Sequence, residues 1–137
     1  MKINSVSISF FLTISALVFF PSASSAHHGW SGYNADIDIS LMITELRLGG
    51  AHEHITATDD EGTEWDLVLA TDSRNRDRGF YEDTLAVGNN IDLIGRLHPS
   101  KPEIKVHCIY IDGETKYTYY DWDGTTSLSK HSDRDQC

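Results

Sequence analysis

The order of alternating apolar runs confines this chain to a small β-rich fold. Ile37, Ile39, Leu41 and Ile43 alternate with Asp38, Ser40, Met42 and Thr44, the two-residue period of a strand with one buried face. Gly49-Gly50 breaks that run. A second strand is predicted over His52 to Thr58, and the turn-forming cluster Asp59-Asp60-Glu61-Gly62 leads into a third over Glu64 to Ala70, so the two make a hairpin. Trp65, Leu67 and Leu69 share one face of the third strand. Thr71-Asp72 then has the chemistry to cap a short helix over Ser73 to Arg78, with Gly79 at its stop. Ile91 to Leu97 and Ile104 to Ile111 read as a fourth and a fifth strand, and Lys116 to Tyr120 as a sixth. Three strands, a short helix, then two or three strands match a mainly β fold, a small OB-like Greek-key β-barrel with one short helix between strands three and four. An open β-sandwich is the alternative.

The first 26 residues read as a separate unit. Lys2 gives a positive start, Val6 to Phe20 is apolar apart from Ser and Thr, and Pro21 ends the run. Ser24-Ser25-Ala26 puts small residues where a signal peptidase needs them. The run falls short of the ~20 residues of a bilayer span, which favours a cleaved signal peptide over a retained anchor. The expected organisation is therefore a signal peptide over 1–26, an OB-like barrel domain over 27–120 and a polar, loose C-terminal tail over 121–137. The expected location is the periplasm or the extracellular space, with no membrane attachment after cleavage.

Cleavage would leave 111 of the 137 residues, enough for one modest core. It removes only Lys2 of the 11 basic residues and none of the 21 acidic ones, so the net charge becomes −11. Such a chain repels nucleic acid and attracts cations. Cys108 and Cys137 are the two cysteines. In an oxidising compartment they have the option of one disulfide between the tail and a strand. A cysteine metal site is the weaker option, because no C-x-x-C spacing exists.

Ala26-His27-His28, the segment Glu45 to His52, Trp65-Asp66-Leu67, Arg78-Gly79-Phe80, Asp83-Thr84-Leu85, Gly88, Gly95 and Asp112-Gly113 occur in an order and spacing that resembles a family of small secreted bacterial proteins catalogued as a domain of unknown function. The resemblance spans residues 26 to 117. Family members typically open their mature chains with His-His after the cleavage site, and the resemblance implies an OB-like barrel and two histidine positions. It implies no activity. Two features depart from it: Gly50-Ala51-His52 stands where the family usually has Asn-Pro-His, and the tail after Tyr120 is an addition.

Cleavage after Ala26 would make His27 the N-terminal residue. Its α-amine and its own imidazole can chelate one metal ion, and a third nitrogen would complete a tetragonal set that suits Cu(II). This resembles the histidine brace of copper proteins in its ligand set alone. His52 and His54, two apart on a predicted strand, point to one face. The candidate metal ligands are therefore His27, His28, His52 and His54, and the expected cofactor is copper. His98, beside Pro99, reads as a loop residue, and His107 lies on another strand with its facing unassigned. The competing interpretation is a solvated His-His terminus and an ordinary exposed strand face, shared with Thr56 and Thr58.

Other chemistries lack their motifs. Asp72-Ser73-Arg74 has no G-x-S-x-G elbow around it, so a serine hydrolase is disfavoured. Asp121-Trp122-Asp123-Gly124 offers too few ligands for a calcium loop. The expected function is non-catalytic handling of a divalent metal. A ligand- or protein-binding module with a groove lined by Trp65 and the tyrosines is the alternative, and a copper-dependent oxidoreductase is the least favoured reading.

Overall fold

The computed structural model describes residues 29–131 and Cys137. The proposed signal peptide, His27 and His28 lie outside the described residues. A single 3-10 turn, Trp30–Gly32, precedes β1 (Ala35–Arg47), β2 (His54–Thr58), β3 (Glu64–Val68), α1 (Asp72–Asp77), β4 (Asn90–Leu97), β5 (Glu103–Ile111), β6 (Glu114–Thr118) and α2 (Ser127–His131). The strands lie in the order β3-β2-β1-β4-β5-β6, and a parallel pairing of β3 with β5 closes the first five into a barrel. This is the small OB-like barrel, with α1 between the third and fourth strands. Among the described residues no helix is long and apolar enough to cross a membrane.

The long β1 makes closure feasible because it serves two partners. Ala35 to Met42 pairs with β4, and Met42 to Arg47 pairs with β2. A bulge between Ile43 and Glu45 separates the inward residues before it from Leu46 after it, bending the strand as bulges do. Leu41, Ile43, Ile55, Leu67, Leu69, Ile91, Leu93, Ile104 and Val106 fill the interior. A second irregularity falls between Ile94 and Gly95. A Cβ at Gly95 would stand 2.5 Å from Ile104 Cγ2 and 2.7 Å from the Lys105 carbonyl oxygen, so β4 and β5 approach there only because that side chain is missing.

Most element limits match the sequence reading to within two residues, and the differences have local causes. β2 starts at His54 and not at His52, because Glu53 turns its side chain inward. Its carboxylate accepts from the Gly49 amide at 3.1 Å and from Asn75 Nδ2 of α1 at 2.5 Å, and the residue is buried. The β5–β6 turn is tighter than expected: Asp112 and Gly113 both have positive φ, 51° and 79°, as a two-residue type I′ hairpin requires.

The segment beyond Asp121 differs most. It was expected to be loose, yet it bridges back through Tyr120 and Thr126 and forms α2, whose Leu128 is fully buried. Ser127 Oγ lies 2.7 Å from His107 Nδ1, and Cys137 is joined to Cys108 by a disulfide. This explains why β5 is buried on both faces from Ile104 to Ile109: one face lines the barrel, and the other lies beneath the Trp30 turn, Tyr119 and the tail.

Candidate functional site

The β2–β3 hairpin positions the two described candidate ligands. Its register sets Thr56 opposite Asp66 and His54 opposite Val68, so the His54 and Asp66 side chains are diagonal neighbours on one face. His54 Nδ1 lies 2.9 and 3.1 Å from the two Asp66 carboxylate oxygens. Arg47, opposite His54 on β1, donates to the same carboxylate at 3.1 Å. His52 precedes the strand, and its Nδ1 lies 3.2 Å from the Leu69 carbonyl oxygen.

These contacts define tautomers. A carbonyl or a carboxylate oxygen only accepts, so both Nδ1 atoms carry the hydrogen, and in the neutral rings the lone pair sits on Nε2. A carbonyl or carboxylate behind the imidazole is the usual arrangement around metal-binding histidines. His98 has the opposite polarity. The Ser100 amide donates to its Nδ1 at 3.2 Å, which places its hydrogen on Nε2.

His52, His54 and His98 line one open groove of about 440 Å³, whose walls include Gly29, Tyr33 and Lys105. Tyr33 donates to Glu103 at 2.5 Å. Burial, then the Glu103 contact, raises the Tyr33 hydroxyl pKa. Lys105 is only 2% exposed. Its ammonium lies 5.1 Å from the Trp30 ring centre, 5.7 Å from Tyr33 and 5.6 Å from Tyr119, an aromatic cage that favours a cation. Burial, and next the charge of Arg74, brings its pKa down to about 8.

No family model matches this sequence, and no curated protein matches it. The chemical reading therefore rests on the residues themselves.

Of the four predicted ligands, His52 and His54 share the groove, while His27 and His28 fall outside the described residues. Gly29, joined directly to His28, forms part of the groove wall. Among the described residues no three His, Cys, Asp or Glu side chains are arranged to hold a metal. His107 takes no part in the groove. It is buried, stacked on Trp30 at 4.1 Å, and its Nε2 has no hydrogen-bond partner among the described residues. Burial, then the charges of His131, Arg96 and Lys105, brings its pKa down to about 3, so it is neutral at pH 7. Trp65, which the alternative reading expects in a ligand groove, donates from Nε1 to Asp59 at 3.0 Å.

Sequence reasoning missed Asp66 as the partner of His54, although the hairpin register implied it. Lys105 gave no such signal, because a lysine in an apolar strand reads as outward-facing.

Proposed function

We infer that this protein is an exported, non-catalytic metal-binding protein that handles copper through an N-terminal histidine site. In this reading the α-amine and imidazole of His27 supply two nitrogens. His52 and His54 supply Nε2 donors, and His28 is an additional candidate. The observation that carries the reading is the pair of imidazoles in the groove, each with its Nδ1 hydrogen directed at a carbonyl or a carboxylate. Gly29, next in sequence to His28, belongs to the same groove wall, and the spacing of successive Cα atoms, about 3.8 Å, supports an N-terminal contribution to the site. The Cys108–Cys137 disulfide favours an oxidising compartment, and the acidic surface favours cations.

The test is a Cu(II) titration of naturally processed protein, its N-terminus verified by mass spectrometry, followed by EPR. A comparison protein carries one glycine ahead of His27, which keeps every imidazole and displaces the amine. Stoichiometric binding with a tetragonal, nitrogen-rich signal that disappears in the comparison protein is the expected result. Equal, weak binding in both overturns the reading and leaves a ligand-binding module.

A further inference from the structure

Away from the histidine groove, a small pocket of about 170 Å³ lies between α1 and β6, with Arg78, Phe80, Lys116, Thr118 and Tyr120 among its walls. Its charge is unusual for a chain with a net charge of −10. Arg47, Arg76, Arg96, Lys116 and Lys130 each form an ion pair with a carboxylate. Arg74 and Arg78 have none among the described residues. Both are held against aromatic rings: the Arg74 guanidinium carbon lies 3.8 Å from the Trp122 ring centre, and that of Arg78 lies 4.6 Å from Tyr120.

The two arginines flank Tyr120, whose carbonyl accepts from Arg74 Nη1 at 3.3 Å while its ring faces Arg78. Arg74 also lies 3.3 Å from the Tyr119 hydroxyl, so it is largely committed. Arg78 is different: it is exposed, and its side chain makes no hydrogen bond among the described residues. A guanidinium lying over an aromatic ring keeps N–H donors available for a two-point contact to an oxyanion. The nearby acids are engaged elsewhere, Glu114 with Lys116, and Asp121 and Asp123 with Lys130. Asp77, at the end of α1, is the exposed exception.

We propose that this pocket binds the oxyanion of a small ligand, a carboxylate or a phosphate, with Arg78 as its principal contact. The site is independent of the histidine groove and of any metal. Arg78, lying over the Tyr120 ring, supplies the two-point contact, and the Thr118 hydroxyl is available as a neutral donor.

The test uses the full oxidised protein, titrated with glucuronate or with inorganic phosphate and followed by nuclear magnetic resonance of the arginine Nε–H groups and the β6 amides. Saturable shifts at Arg78 and along β6 are expected, with affinity falling at least about tenfold in Arg78→Gln, the worth of one charged hydrogen bond. Arg78→Lys retains part of the binding. Glucuronate alone binding assigns the pocket to a carboxylate-bearing sugar, phosphate alone assigns it to a phosphate ester, and both support the oxyanion. No saturable shift with either probe overturns the proposal, as does an equal response to chloride or an unchanged affinity in Arg78→Gln. Arg78 is exposed, and an unchanged melting temperature verifies that its variants remain folded.

Discussion

Asp66 accepts from two side chains at once, Arg47 and His54, and its effect on the proposed copper site is separable from its effect on folding. Asp66→Asn weakens the acceptor behind His54 Nδ1, and His54→Ala removes the ligand. Each is expected to lower copper affinity about 10- to 100-fold, measured by competition with a chelator, while His98→Ala leaves affinity unchanged because its Nδ1 lone pair already accepts from Ser100. His107 yields a prediction of another kind. Its folded pKa of about 3 lies below the ordinary 6.5, so between those values the unfolded chain binds a proton that the fold does not. Its contribution is fully present above pH 6.5 and is lost as pH falls toward 3. The melting temperature of wild type should therefore fall more steeply from pH 7 to pH 4 than that of His107→Gln, followed by circular dichroism.

The tail and its helix carry the argument at the level of the element. The polar composition after Asp121 indicated a loose segment, because a sequence pattern registers apolar periodicity and α2 contributes one buried leucine, Leu128. What orders this segment is long-range: Ser127 against His107, and Cys137 bonded to Cys108 across a sequence separation of 29. A loop of that length corresponds to about 3–4 kcal/mol of unfolded-state entropy removed. Cys137→Ser is expected to lower stability by about that amount in urea denaturation, with the loss reproduced by reducing the wild-type protein. The presence of β1 and of the β2–β3 hairpin, by contrast, was legible, although the bulge in β1 and the start of β2 at His54 were not. Period-two patterning and the turn at Asp59 to Gly62 are local signals, and the hairpin register follows from them.

For the molecule as a whole, the alternating runs indicated an OB-like barrel with a short helix between the third and fourth strands, and concealed what covers the barrel. The burial of Lys105 beneath Trp30, Tyr33 and Tyr119 depends on three segments meeting, which no periodicity encodes. The proposed copper site would join the N-terminal segment to the barrel, so metal binding should stabilise the entire fold. At a free copper concentration 100 times the dissociation constant, linkage adds about 2.7 kcal/mol. Processed protein is accordingly expected to melt several degrees higher with copper, and protein with an added N-terminal glycine to show a much smaller shift; equal shifts would place the metal elsewhere.

Trp30 and Cys137 converge on a single residue. The indole stacks on the His107 ring at 4.1 Å, and Cys137 Sγ lies 3.8 Å from the His107 carbonyl oxygen. Both contacts fall on β5, whose other face lines the barrel interior, so reducing the disulfide should loosen the cover over His107 while the barrel beneath it stays closed.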